Sequence, residues 1–442
     1  MAGYVPHTDE DFARMLSELG LGGADELFRS VPAALRLAGG LDLPLGLGEP
    51  DVSSQMSRLA GANRAPAELV CFAGGGAYDH DIPAVVRALG GRSEFVTSYT
   101  PYQPEVAQGV LQVLFEYQTL VSRLAGLPVA NASVYDGATA TVEAVNLAVA
   151  CTGRPAVWLS AGLNPRWREV LATLSAGRGI ELVDVPLSGG TTDWEAARGA
   201  PPAALVGASP NYLGCIDPPR RATPVAQAAG ALVVNAFDPV SAGLLRTPGE
   251  QGADVAVAEG QPLGTPLAFG GPYLGMFAVA GAHVRRLPGR LVGRTVDSEG
   301  RTAYVTTLRA REQDIRRERA SSNICTNQTL VAVAAMVQMA WLGTAGLREL
   351  ALRCARGTRY LREAVLSVPG VEPLVDAPVV REFAVELPIS PELAVERMAE
   401  EGFLAGLPVS VGGREGLLIA VTEKRVRAEL DAYASALEKV VA

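Results

Sequence analysis

The sequence predicts an α/β protein: a large domain on a doubly wound or mixed sheet of about seven strands, with a smaller α+β domain at the C-terminal end. Three observations carry this expectation. Short apolar runs such as AVWLSAG, IELVDVPL, AALVGASP and ALVVNAF suit a parallel sheet buried on both faces. Helical stretches such as NPRWREVLATLSAGRG and ATPVAQAAG separate them, which is the alternation a parallel sheet requires. Near Pro369 the composition changes and a strand–helix–strand–helix series follows. With 442 residues, 48% of them hydrophobic, the chain can bury a large core.

The first sixty or so residues read as a helical arm. Thr8 is a candidate N-cap, Phe12, Met15, Leu16 and Leu19 recur at helical spacing, and Gly20 ends the turn. A second short helix is expected near Ser30, with Pro32 in its first turn. So small a stripe must pack on the main body or on a partner chain. In CFAGGGAYDHDIP a glycine turn leads to a helix start marked by Asp81 and Pro83; no Lys-Ser or Lys-Thr follows, so this is no Walker loop. A long helix follows Pro104, its broad apolar face running from Val106 to Val121 and ending at Gly126. VANASVYDGATATVEAVNLAVACTG gives strand, turn and apolar helix, while GADVAVAEG and MFAVAG supply two late strands. Beyond Arg285 a basic, polar connector leads to a charged helix that breaks at Ser321-Ser322-Asn323 and resumes as a long alanine-rich one. The C-terminal unit comprises strand VVREFAVELP, helix SPELAVERMAEEG capped by Ser390, strand EGLLIAVTE and a final amphipathic helix. The expected divisions are 1–65 (arm), 66–310 (large α/β domain) and 311–442 (linking helix and small α+β domain).

Charge and composition exclude several classes. A net charge of -9 opposes a nucleic-acid partner, which needs a basic field, and disfavours anionic membrane. No apolar run of about 18 or more residues without charge is expected to span a bilayer. The acidic start MAGYVPHTDEDF lacks a basic n-region and an apolar h-region, so a cytoplasmic location is expected. Five cysteines lie far apart without CxxC and three histidines are scattered, so no metal site is expected.

In DGATAT the residues Asp136, Gly137 and Thr139 stand where a strand hands over to a helix, so free N–H groups and the helix dipole face any anion placed there. A turn that merely caps the helix reads equally well. No GxGxxG follows the first strand, which opposes a dinucleotide site. The layout fits a pyridoxal phosphate (PLP) fold better, with AEGQPLGTPLAFGGPYLG (258–275) as the late cofactor loop. That loop has no lysine. The chain's only lysines, Lys424 and Lys439, lie in its last twenty residues, and arginine cannot replace a lysine amine because its guanidinium stays protonated.

YTPYQPE, YDGATA, GADVAVAEGQPLGTPLAFGGPYLG, LPGRLVGRTVDSEGR and IRRERASSNICTNQ together resemble the P-protein family of the glycine cleavage system over essentially the whole chain. Within the two-gene form of that family the chain is similar to subunit 1, the alpha chain. The resemblance implies the PLP-dependent transferase fold type I (aspartate-aminotransferase-like) and glycine dehydrogenase (decarboxylating) activity. It implies as partners a homologous subunit 2, two of each chain, and the lipoylated H-protein. Glycine would lose CO2 and its aminomethyl group would pass to the lipoyl arm. Counting back from Gly271-Pro272, Gln261 stands where the catalytic half carries its PLP lysine, and Val234 or Asn235 where a strand-closing aspartate is expected, with Asp238 just beyond. The cofactor would then be held by the partner, leaving Asp136, Gly137 and Thr139 in a vestigial pocket.

Two clusters are candidates for work across an interface. Tyr99, Tyr102, Gln103 and Glu105 offer hydroxyls and an amide that could orient a small carboxylate. Asn323, Thr326 and Asn327, where a helix breaks and restarts, could hold the phosphate of partner-bound PLP. Helix capping is the plainer alternative for both. The resemblance leaves a second functional reading open, a pseudoenzyme that stabilises the catalytic chain without touching cofactor.

Overall fold

The computed structural model describes residues 6–37, 39, 41–64 and 68–442, in two units, residues 1–64 and 65–442. In the first, helix α1 (Asp9–Glu18) starts as expected: Thr8 and Asp11 form a reciprocal capping box, with the Asp11 N–H donating to Thr8 Oγ1 at 3.2 Å. The helix expected near Ser30 is only a single 3-10 turn, Ala33–Leu35. The second helix lies further on, α2 (Glu49–Ala60), with Pro50 in its first turn. No described residue of this arm is buried. Phe12, Met15 and Leu19 stand exposed, as do Leu41, Leu43, Leu45 and Leu47 along one extended stretch.

The second unit holds the seven-stranded sheet. Its strands are β1 (Val129–Ala130), β2 (Ala156–Ser160), β3 (Glu181–Val185), β4 (Ala204–Ser209), β5 (Leu232–Phe237), β6 (Val255–Glu259) and β7 (Gly275–Val279), in the order β1-β7-β6-β5-β4-β2-β3. β2 to β6 pair in parallel; β7 runs antiparallel to both its neighbours. The helices α3 (Ala84–Gly90), α4 (Gln108–Ala125), α5 (Gly137–Thr152), α6 (Pro165–Ala176) and α7 (Thr223–Ala229) follow in chain order. Alternation along β6 shows both faces covered: Val255 and Val257 join the core beneath α5, Ala256 and Ala258 the core beneath α4. Gly126, at φ +66°, ends α4 as expected.

The expected polar connector after Arg285 contains a hairpin, β8 (Leu291–Val296) and β9 (Thr302–Thr307). Its turn is made by Asp297, whose Oδ1 accepts from the N–H groups of Glu299 and Arg301, both at 2.9 Å. Polar residues on the outer part of the ribbon hide this strand pair from a hydrophobic-pattern reading. The long helix α8 (Thr329–Val365) kinks at Gly343, the one interior position with non-helical angles. It corrects the expectation of no membrane-length run: an 18-residue window reaches a mean hydropathy of 1.7, because its interruptions are uncharged. Half of that window is buried within this body, and Val331, Ala332, Ala335 and Met339 pack into the core beneath α4. Core helices pass the same length test.

The small sheet, β10 (Glu372–Pro373), β11 (Glu382–Glu386), β12 (Leu407–Val411) and β13 (Arg414–Ala420), runs in the order β10-β11-β13-β12 and carries α9 (Pro391–Glu400) and α10 (Arg427–Val441). Val70–Cys71 pairs in parallel with Phe403–Leu404, and Phe72 packs on Tyr433 with ring centroids 4.4 Å apart. The segment after the arm therefore joins the C-terminal core before the chain enters the large sheet. A linear reading of domains hides such a return.

Candidate functional site

In an open α/β sheet ligands sit outside the carboxyl ends of the strands. There the chain has a crevice lined by Asn164, Trp167, Tyr212, Asp238, Glu259 and Arg381, among others. Three of the groups a PLP site needs can be checked against it. The N-terminus of α5 offers the N–H groups of Gly137 and Thr139, but both are used: Gly137 donates to Glu259 Oε2 at 2.9 Å and Thr139 to Asp136 Oδ1 at 2.7 Å. Gln261, two residues past β6 and fully buried, donates to the Tyr78 and Thr265 carbonyls at 3.0 and 2.8 Å and accepts from the Tyr78 N–H at 2.9 Å. Of the residues that the sequence leaves open for the strand-closing carboxylate, Asp238 is the one that reaches the crevice. Val234 lies in the core beneath α5, Asn235 is buried away from the crevice, and Asp238 reaches it. Asp238 is nonetheless committed, pairing with Arg381 at 2.8 Å and accepting from the N–H groups of Val240 and Ser241. The residues present do not fit PLP.

Arg381 is the hub of this crevice. Besides Asp238, it donates to His80 Nε2 at 2.7 Å and its guanidinium lies 3.4 Å from the Tyr78 ring centroid. The Tyr78 hydroxyl donates to Glu382 at 2.6 Å, and the Gly75 N–H to the same carboxylate at 3.0 Å. His80, Cys354 and Glu423, far apart in sequence, come within 4.8 Å of one another. His80 spends one ring nitrogen on Arg381 and the other on Glu423, at 2.6 Å, while burial pushes the Cys354 thiol up to about 12. A neutral thiol beside a guanidinium is a poor metal ligand set. Lys424 pairs with Asp79 at 2.7 Å and Lys439 with Glu401, both outside the crevice.

Burial raises the Glu259 carboxyl to about 8, against the pull of three backbone N–H donors, on Leu274, Gly137 and Gln261. A carboxyl raised on folding stabilises the fold fully below its unfolded value near 4.5, and that stability is lost as pH rises through about 8. Urea unfolding of the full-length chain should therefore show stability falling by a few kcal/mol between pH 5 and pH 9. Glu259→Gln should flatten that decline; an unchanged slope would remove Glu259 as its cause.

The two clusters proposed for interface work meet through Tyr102 on one side and Thr326 and Asn327 on the other, all against Arg290. Arg290, only 7% exposed, donates to Asn327 Oδ1 at 3.0 Å, Thr326 Oγ1 at 3.3 Å and the Cys325 carbonyl at 3.2 Å, and its guanidinium stands 5.8 Å from the Tyr102 ring centroid. The sequence reading missed Arg290, which sits inside the supposed connector. Tyr99 is 86% and Tyr102 55% exposed; Gln103, Glu105, Asn323 and Thr326 are exposed too. Asn327 differs: it is buried, donates to the Ala132 carbonyl and Ser133 Oγ, and accepts from Arg290. Its amide donors are spent inside the chain. Beside this group Arg311 and Glu312 have buried polar atoms without partners, namely Arg311 Nε and Nη2 and Glu312 Oε1. Burial pulls the Arg311 guanidinium down and pushes the Glu312 carboxyl up.

The mixed sheet, the crevice at its carboxyl edge and the small C-terminal sheet define a PLP fold type I protein of the aspartate-aminotransferase class. Glutamate decarboxylase of Lactobacillus brevis shares that fold at 13% identity, with a TM-score of 0.69 over 95% of this chain and 96% of the other. Sequence comparison is more specific: the profile of the glycine cleavage system P-protein matches residues 2–437, and the chain belongs to that family. It is 46% identical to probable glycine dehydrogenase (decarboxylating) subunit 1 of Moorella thermoacetica, over 99% of this chain and all of the relative. Its counterpart in Prosthecochloris aestuarii is 45% identical, over 97% and 98%. The crystal structure of glycine decarboxylase (P-protein) of the glycine cleavage system, in inhibitor-bound form, superposes with a TM-score of 0.91 at 44% identity, covering 99% of this chain and 100% of that one.

Proposed function

We propose that this chain is subunit 1 of a two-chain glycine decarboxylase and completes an active site whose PLP is held by a lysine of the homologous subunit 2. The assembly, two of each chain in the cytoplasm, removes CO2 from glycine and passes the aminomethyl group to the lipoyl arm of H-protein. One observation carries this reading. Arg290 gathers Tyr102 and the 325–327 segment into one group, beside which exposed polar ends stand with the buried, unpartnered Arg311 Nε and Nη2 and Glu312 Oε1. A buried polar atom without a partner is costly, so a face that keeps several is suited to meeting a second molecule. The arm supports assembly as well. A segment with many large apolar side chains and no buried residue among those described lacks the burial that would hold a fold in water.

The pseudoenzyme alternative draws on the saturated crevice, and two substitutions separate the readings. Tyr102→Phe and Asn323→Ala change exposed groups, so assembly with subunit 2 should be intact by size-exclusion chromatography. Under the shared-site reading each lowers turnover about ten-fold, the worth of one hydrogen bond to a charged group. Unchanged turnover in both would favour the pseudoenzyme. Borohydride treatment of the reconstituted complex with PLP should label subunit 2 alone; a label on Lys424 would overturn the shared site.

A further inference from the structure

The crevice at the carboxyl edge of the sheet differs from a cofactor pocket by more than a missing amine. The first turn of α5 is where a phosphate would be held, by free N–H groups at the positive end of the helix dipole. The end of β6 brings a carboxylate to that place instead. Glu259, buried, directs Oε2 to the Gly137 N–H, while Oε1 accepts from the N–H groups of Gln261 at 3.0 Å and Leu274 at 2.9 Å. Asp136 takes the next donor of the turn, on Thr139. The Trp167 ring closes the remaining approach: a Cβ built on Gly137 would lie 2.3 Å from it. Every one of these contacts is internal to the chain.

We infer that Glu259 is an internal stand-in for the phosphate of a phosphate-bearing cofactor, so that this crevice is closed to such ligands by its own carboxylate and not only by the loss of an amine at Gln261. Two physical consequences follow. A phosphate entering the turn would have to displace a carboxylate already receiving three N–H bonds, and while that carboxylate is ionised it would also meet like charge at contact distance. The displaced carboxylate would be stranded in a buried place. The same side chain and its neighbour make the crevice a joint. Glu259 ties the end of β6 to α5 and to the strand start at Leu274; Gln261 ties it to Tyr78, whose hydroxyl reaches Glu382 of the small sheet.

The inference rests on the proposed reading only in taking Gln261 as the lysine's counterpart; the role of Glu259 stands on geometry. It is tested on the full-length chain with two probes, inorganic phosphate and PLP. Wild type and Gln261→Lys should show no saturable phosphate binding and little pyridoxyl label after borohydride. Glu259→Ala should gain phosphate binding, and Glu259→Ala/Gln261→Lys should label at position 261 at least about ten-fold more strongly than Gln261→Lys, as expected for one freed charge-assisted donor. Equal labelling of the single and double variants would overturn the inference, as would a folded Glu259→Ala chain, by circular dichroism, that binds no phosphate. Glu259→Ser, which can still accept one N–H, is the second replacement should alanine prevent folding. A third measurement needs no variant: neither probe should raise the Tm of the wild-type chain, and a concentration-dependent rise lost on mutating Gly137 would count against the closure. These outcomes are independent of the complex-labelling experiment, which reads subunit 2.

Discussion

Arg290→Ala should lower glycine decarboxylation by the reconstituted two-chain enzyme about 100-fold, the size of loss that a displacement of about 1 Å in a positioned group produces. The guanidinium satisfies three acceptors on residues 325–327 and sits beside the Tyr102 ring. Removing it frees the segment and leaves the buried Asn327 Oδ1 with Thr329 alone, at 3.2 Å. The chain should lose about 2–4 kcal/mol of stability, since a buried polar group is left short of partners. Lysine should rescue poorly, because one ammonium cannot reproduce the spread of Nη1 and Nη2 over three acceptors. Activity must be measured where circular dichroism shows the variant folded and chromatography shows it assembled. A folded, assembled Arg290→Ala enzyme of normal kcat and KM would remove this cluster from the active site.

The elements legible in the sequence are those whose information is local. Each of the seven apolar runs read as strands forms one in the large sheet; a strand buried on both faces, such as β6, is apolar almost throughout, while the edge strand β3 exposes Glu181 and Asp184. Thr8, Ser390 and Gly126 were readable as helix ends, since a cap is decided by residues within one turn. The β8–β9 hairpin was not, because Arg294, Thr295 and Val296 are all exposed and leave no alternation to read. In the site, absence was easier to read than presence. A loop without lysine can be seen in one line of sequence, whereas Glu259 acquires its meaning only when folding sets it against Gly137, 122 residues away. Arg290 looked like one of many arginines in a basic connector, and Asn327 like a free amide, until the same fold placed each against the other. The arm is a different case: its apolar stripes were legible, but what they cover is not encoded within it.

Arg381→Ala should destabilise the chain most among the substitutions considered, by about 3–5 kcal/mol, because it breaks a buried ion pair from one side. Asp238, at the end of β5, would be left with only backbone and hydroxyl donors, His80 would lose the donor that fixes its ring, and Glu382 would lose its neighbouring cation. Burial alone would lower the Arg381 pKa, but Asp238, Tyr78 and Glu382 more than offset it, so the guanidinium is held charged. This makes the pair testable as a unit. Asp238→Asn alone should also destabilise, leaving the cation short of its carboxylate. Arg381→Met/Asp238→Asn should recover part of the loss, because a paired charge replaced by matched neutral groups no longer carries two desolvation costs. A double-mutant cycle of Arg381→Met, Asp238→Asn and their combination, read by urea unfolding, measures that coupling. Strictly additive losses would mean that Arg381 acts through Tyr78 and Glu382 instead, and the joint between the two sheets would then lie in the stacked ring, 3.4 Å from the guanidinium, rather than in the salt bridge.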